Sequence, residues 1–225
     1  MDEIKTSMLY SLEHTIAAEL LAETIYPWEA LGKIGEFIVK MGNTLSKEEY
    51  YSPKENVWIS NDANVAQSAN INGPCIICKG ADIRHCAFIR GNAIVGRSCV
   101  VGNSSELKNC ILFDNVQVPH FNYVGDSILG WYAHMGAGAV ISNLKNDKTL
   151  VKVKLHDSEI ETGLKKLGAM IGDKSEIGCN SVLNPGTVIG KNASVYPLSR
   201  VRGYVPSESI YKSSEDIVKK IQQNN

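Results

Sequence analysis

Aliphatic residues recur along this chain with a period of six. The series runs Ile59, Val65, Ile71, Ile77, Ile83, Ile89, Val95, Val101, Leu107 without exception. Two residues before each member after the first lies a small one: Ala63, Ala69, Cys75, Ala81, Ala87, Ala93, Cys99, Ser105. A second array reads Ile171, Ile177, Leu183, Ile189, Val195, Val201, with Ala169, Ser175, Ser181, Thr187, Ala193 and Ser199 at minus two. Between the arrays the phase slips. Leu112, Val118 and Val124 continue the series, followed by Leu129, Met135 and Ile141.

A six-residue period fits neither a 3.6-residue helix nor a simple alternating sheet. It fits a short flat strand followed by a tight corner, three of which close a triangular coil of about 18 residues. The aliphatic residue points into the prism, and the small one sits where a larger side chain would meet the next wall. Gly often follows the aliphatic residue, as at Gly96, Gly102, Gly125, Gly172, Gly178 and Gly190, which suits corners of unusual φ. Coils stack by parallel pairing, and each buried Ile or Val gains roughly 1.5–3 kcal/mol against chain entropy. The pattern predicts an all-β solenoid, a parallel β-helix.

The ends leave the pattern. Residues 1–50 carry apolar residues near helical spacing (Leu9, Leu12, Ile16, Leu20, Leu21, Ile25, then Trp28, Leu31, Ile34, Ile38) broken at Pro27. They predict a helical cap for the open solenoid end, which would otherwise expose strands and core; docking of a partner protein is the alternative. Residues 45–56 read as a polar linker. The β-helix is expected over 51–205 and a tail over 206–225, where SSEDIVKKIQQ carries an N-cap signal for a short C-terminal helix. Residues 142–168 interrupt the hexads. The stretch TLVKVKL within them alternates like an exposed strand pair, and such insertions often form a binding face.

Bulk properties narrow the function. Formal net charge is −1 over 225 residues, so there is no concentrated basic face for nucleic acid or an anionic membrane. No apolar run reaches a membrane-spanning length, and the acidic N-terminus lacks a signal-type core, which predicts a cytoplasmic protein. Six cysteines without a signal favour reduced thiols. Cys75 and Cys78 form a CxxC, but no second pair follows at zinc spacing, so no metal is expected; Cys75 and Cys99 fall at small interior positions instead.

The densest polar stretch is PHFNYVGD (119–126), then GWYAHMGAGAVISNLKNDK (130–148), at the phase slip. Departures from a fold's own rule are expected at functional sites. Residues about 18 apart stack on one wall, so His120 can approach the 134–143 segment. The PHxxYxGD and GAGxxxxN motifs resemble those of the acetyltransferase domain of bifunctional sugar-1-phosphate nucleotidylyltransferases. The archaeal type looks closer, through the NL that starts the insertion and the later KLGAxIG, here residues 166–172. The resemblance spans roughly residues 55–205.

The resemblance implies a left-handed coil, acetyl-CoA as co-substrate, an amino-sugar phosphate acceptor and a homotrimer with acetyl-CoA between subunits. It makes His120 the general base for the attacking amine, a role an imidazole suits at neutral pH. Arg90 and Lys108 would hold the sugar phosphate, which favours paired cations. Tyr123 would contact the sugar or its phosphate, and Asn143 would position the amine or hydroxyls. Lys148 or Lys152 would supply a later substrate lysine. His134 replaces the usual Asn of the substrate site, Ala137 would lie against acetyl-CoA, and Asp173 would stand at an acyl-carrier contact. The Gly-rich nucleotide loop of the bifunctional enzymes does not occur among these residues, so no pyrophosphorylase activity is expected of them. The expected activity is N-acetylation of an amino-sugar phosphate such as glucosamine-1-phosphate. A non-catalytic sugar-phosphate or nucleotide-sugar binding module is the alternative, as is transfer to a different acceptor.

Overall fold

A computed structural model describes residues 1–221. The hexads form a parallel β-solenoid with three walls. On the first wall Ile59, Ile77, Val95, Leu112, Leu129, Ile171, Ile189 and Val205 stack in register, and all are buried. The second wall stacks Val65, Ile83, Val101 and Val118, then Met135, Ile177, Val195 and Tyr211. The third stacks Ile71, Ile89, Leu107 and Val124, then Ile141, Leu183 and Val201. The minus-two residues form a parallel column of small interior side chains. On the first wall this column includes Val57, Cys75, Ala93, Cys110 and Ser127. The CxxC is therefore packing: Cys75 and Cys78 are buried, and burial pushes the Cys78 thiol up to about 12.

The phase slips have a physical form. Leu107 to Leu112 and Val124 to Leu129 are five-residue steps, and there the corner shrinks to one left-handed residue, Asn109 or Asp126, within the continuous strands Glu106–Leu112 and Tyr123–Leu129 that run from the third wall into the first. One coil further on, the insertion leaves from the same edge, after Val140–Ile141, and the chain re-enters the first wall at Ala169–Ile171. Within the insertion Lys152–Leu155 and Ser158–Glu161 pair antiparallel, as the alternation predicted. One face is not exposed, because Val151, Val153 and Leu155 are buried.

Three expectations need correction. The N-terminal residues are short pieces, among them Thr6–Leu9, Ala18–Ala22, Pro27–Lys33 and Ile34–Gly42, with extended residues such as Tyr10 between them. They do not cap the solenoid end; they lie along the outside of the first wall. The reason is a second apolar column, pointing outward, that the inward periodicity hides. Trp58, Ile76, Ile94, Ile111, Ile128, Met170, Val188 and Tyr204 stack in register, and the six from Ile76 to Val188 are buried. Helix Ile34–Gly42 covers the early rungs, Pro27–Lys33 the Tyr123–Leu129 strand, and the inserted hairpin the last strands. Burying an outward Ile yields as much as burying an inward one, so the segment goes where that area is.

The linker of 45–56 instead contains a strand, Tyr50–Lys54, paired antiparallel with Val57–Ser60. Among the described residues the short C-terminal helix is absent as well. Ser209–Ser213 and Asp216–Lys219 form an antiparallel hairpin on the second wall's last rung, where an open strand edge outbids weak helical propensity. Residues 222–225 of that tail lie outside the described residues.

Candidate active site

The two slips put Lys108 and Asp126 on one edge, in successive coils. Asp126 is the centre of the cluster there. It is buried and sits at φ 49°, a left-handed corner conformation that Asn and Asp tolerate. Its carboxylate accepts from Lys108 Nζ at 3.2 Å to both oxygens and from Asn109 Nδ2 at 2.8 Å. It also accepts from Asn143 Nδ2. Asn143 reaches the Tyr123 hydroxyl as well, at 3.2 Å. Gly125 makes this closure possible, since a Cβ there would strike the Tyr123 hydroxyl and the Asn143 amide. One coil below, Arg90 Nη1 donates to Glu106 Oε1 at 2.7 Å. Burial, then the charges of Asp126 and Glu106, push the Tyr123 phenol up, which keeps it a neutral hydroxyl.

Arg90, Lys108, Tyr123 and Asn143 are thus brought together. Of the residues that gather them, sequence reasoning missed Glu106 and Asn109 and noted Asp126 in the polar stretch without giving it a role. Its signal was the conjunction of a corner position with a phase slip. Both cations are internally paired, Arg90 with Glu106 and Lys108 with Asp126, on successive rungs about 4.8 Å apart, so any anion binding there would have to take donors over from carboxylates.

The opposite edge of the third wall carries His120. Strand Gln117–His120 ends there, and the residue is exposed. Corner carbonyls stack along this edge. Ser104 N donates to His85 O, Phe121 N to Asn103 O, Gly138 N to His120 O, Asn180 N to Ala137 O and Leu198 N to Cys179 O. His120, Ala137 and Cys179 therefore share one column, with the GAG turn directly above the histidine. Asn122 fixes this stacking. It occupies the small interior column beside Ser105 and is 3% exposed. Its amide donates to Gly136 O at 2.8 Å and Ala139 O at 3.0 Å, while its oxygen accepts from His120 N at 3.0 Å. Between His120 and Tyr123 lies only the corner made by Phe121, at φ 51°, and Asn122.

The remaining expected residues lie elsewhere. His134 points outward on the second wall, and its Nδ1 lies 2.8 Å from Glu176 Oε2. That pair lines a shallow depression with Asn115, Gln117 and Tyr132, so His134 does not join the Tyr123–Asn143 cluster within one chain. Lys148 lies in an exposed turn of the insertion. Lys152 is held by Glu159 and Glu161 on the inserted hairpin, at 3.4 and 3.3 Å, on the first-wall side. Asp173 is a correction. Its carboxylate is not open to a carrier. It is buried, and accepts from Ser11 N and Trp131 N, each at 2.9 Å, and pairs with Lys191 at 3.0 Å. Its own N–H donates to Leu9 O. Asp173 clamps the N-terminal segment to the corner between the first and second walls.

Fold and edge chemistry together define the class, a hexapeptide-repeat β-solenoid with a polar site at its phase slips. Sequence comparison refines it. Residues 71–164 match the family model described as the GMPPB C-terminal domain. The chain is 34% identical over 198 residues to a bifunctional protein GlmU of Methanococcus maripaludis, covering 87% of this chain and 48% of the relative. It is 35% identical over 159 residues to a bifunctional sugar-1-phosphate nucleotidylyltransferase/acetyltransferase of Sulfurisphaera tokodaii, covering 63% and 40%. The chain is a relative of the C-terminal acetyltransferase part of these bifunctional proteins, and spans about half the length of the curated relatives it matches. Among solved structures, the acetyltransferase domain of PglB from Neisseria gonorrhoeae in complex with acetyl coenzyme A matches at 17% identity and a TM-score of 0.34, covering 74% of this chain and 58% of that one; a superposition that loose carries no argument. Among the described residues no helix is long and apolar enough to cross a membrane.

Proposed function

We propose that this chain transfers the acetyl group of acetyl-CoA to the amine of an amino-sugar phosphate such as glucosamine-1-phosphate. The observation that carries the proposal is the third wall itself. One edge presents the exposed His120 beneath the GAG turn, and the other presents Arg90, Lys108, Tyr123 and Asn143. The phosphate exchanges places with Glu106 and Asp126 as partner of the two cations, and Tyr123 and Asn143 orient the ring. The amine nitrogen attacks the thioester carbon, His120 takes its proton, and the coenzyme A thiolate leaves and is protonated in turn. Ala137 leaves room along the corner column for the pantetheine arm. Two further copies complete the cleft in a homotrimer, and His134, Lys148 or Lys152 would enter the site from such a neighbour.

The test follows thiol release by purified protein given acetyl-CoA and a panel of amino-sugar phosphates. His120→Ala should lower kcat by about 10²–10⁴-fold without unfolding the chain, and Arg90→Ala should raise KM for the phosphosugar alone. Sedimentation should report three copies. Unchanged turnover in His120→Ala removes this histidine from the mechanism. The internal pairing of both cations supports a second reading, a binding module that never turns over; phosphosugar binding with no thiol release from any acceptor would favour it.

A further inference from the structure

The early coils carry a constellation that the acetyl-transfer reading does not use. At the corner between the second and third walls, Cys86 Sγ lies 3.2 Å from His85 Nε2. The other ring nitrogen, His85 Nδ1, lies 2.6 Å from Ser68 Oγ, in the coil below. Ser68 Oγ also accepts the Cys86 backbone N–H at 3.2 Å, and Asn103 Nδ2 in the coil above donates to His85 O at 3.1 Å. A nucleophile thus faces a base, and the base is oriented by a third group, the arrangement that activates cysteine in many unrelated sites. With Nδ1–H directed at Ser68 Oγ, the Nε2 lone pair faces the thiol. All three side chains are exposed, so a reagent needs no opening of the fold.

The other cysteines supply the contrast. Cys75, Cys78, Cys99 and Cys110 are buried, and burial pushes their thiols up, Cys78 and Cys110 to about 12. Cys179 is exposed like Cys86, but among the described residues its sulfur makes no hydrogen bond. One chain therefore holds a thiol with an imidazole partner and a thiol of similar exposure without one.

We propose that Cys86 is a modification site, a surface thiol that His85 activates for exchange with low-molecular-weight disulfides. His85 Nε2 takes the thiol proton as the sulfur attacks the nearer sulfur of R–S–S–R. The reagent's S–S bond breaks, the Cys86–S–S–R bond forms, and the departing R–S⁻ takes the proton from His85. Cys86 is oxidised, one reagent sulfur is reduced, and atoms and charge balance. The step is independent of the transferase reading.

The experiment treats the folded, reduced full chain with a bis(nitrobenzoate) disulfide and, separately, with glutathione disulfide, and assigns each adduct by peptide mass. Cys86 should react at least about tenfold faster than Cys179, a threshold set below the 10²–10⁴-fold of full general-base assistance. His85→Ala should bring Cys86 down to the rate of Cys179, and added imidazole should restore part of the difference. Ser68→Ala, which keeps the ring and loosens its aim, should fall between. Equal rates for Cys86 and Cys179 in the native chain would overturn the proposal. So would a Cys86 rate indifferent to both substitutions.

Discussion

The first and third walls obey one interior rule and have opposite exteriors. Inside, both stack aliphatic residues over small ones. Outside, the first wall presents Ile76, Ile94, Ile111, Ile128, Met170 and Val188, all hidden under the N-terminal segment and the inserted hairpin. The outward column of the third wall reads Asn70, Phe88, Glu106, Tyr123, Val140, Val182 and Arg200, and every rung is at least partly open. A solenoid fixes its fold with the residues that point in. That leaves the outward residues free to choose between burying a cover and meeting a ligand. In this chain the choice is made wall by wall.

The sharpest way to break the comparison is to truncate matched outward rungs. Ile111→Ala removes methylene and methyl groups from a site sealed by helix Ile34–Gly42, and should cost about 2–5 kcal/mol. Val182→Ala, on the third wall and 40% exposed, should stay within about 0.5 kcal/mol. Urea unfolding of the two variants measures both; equal losses would mean that the N-terminal segment is not a structural part of the first wall.

The clamp comes next in size. Asp173→Ala strands the Ser11 and Trp131 amides and leaves Lys191, itself partly hydrated, without its partner. The expected cost is about 2–3 kcal/mol, concentrated in the N-terminal segment. Hydrogen exchange should show faster exchange over residues 1–42 with little change in the second and third walls. Uniform loss across the molecule would mean that the segment and the solenoid unfold only together.

A smaller effect divides stability from chemistry. Asn122→Ala deletes the amide that joins His120's corner to the GAG turn, leaving Ala139 O without its side-chain donor and Gly136 O with the Ala139 N–H alone. About 1–2 kcal/mol of stability should go. If His120 is the base, kcat should fall while KM for the phosphosugar holds, because the cations sit on the far edge of the wall. A KM change alone would contradict this division of labour between the two edges.

What the sequence displayed and what it hid follow the same division. The inward columns were legible because burial on three walls enforces them at every sixth residue. The insertion was legible because it breaks them, and the phase slip marked the edge where Lys108 and Asn143 meet. The outward apolar column shares its period with the inward one, and single hexads cannot reveal it; only every third hexad shows Ile76, Ile94 and Ile111 as a set. The N-terminal helices therefore read as an end cap. Asp126 and Asp173 look alike in sequence, each an Asp after an aliphatic–Gly pair. One gathers the cations of an open edge and the other clamps a covering segment, and three-dimensional neighbours alone separate them. The C-terminal strands were hidden for a related reason: local propensity pointed to a helix, and the exposed rung they join is remote in sequence.

The smallest expected effect lies at the edge of the covered side and runs in the opposite direction. Asp114 is largely buried beside the chain that carries His14, whose carbonyl accepts the Asp114 N–H. Burial pushes its carboxyl above the ordinary value of 3.8, and the Arg97 amide and guanidinium only partly offset this. For an acid raised in the folded state, the folded chain holds the proton more tightly than the unfolded one. Its contribution is therefore most favourable below the unfolded value and declines as pH rises through the folded one. Asp114→Asn keeps an oxygen for the Arg97 N–H, at 2.7 Å from the carboxylate now, and removes the charge. The variant should be slightly more stable than the native chain at pH 7. The difference should vanish on acidification toward the unfolded value, read as converging urea midpoints. A variant less stable at pH 7 would mean that the Arg97 ion pair, at 3.9 Å with the guanidinium mostly in water, outweighs the cost of burying a carboxylate, and that the covered side tolerates charge as readily as the open one.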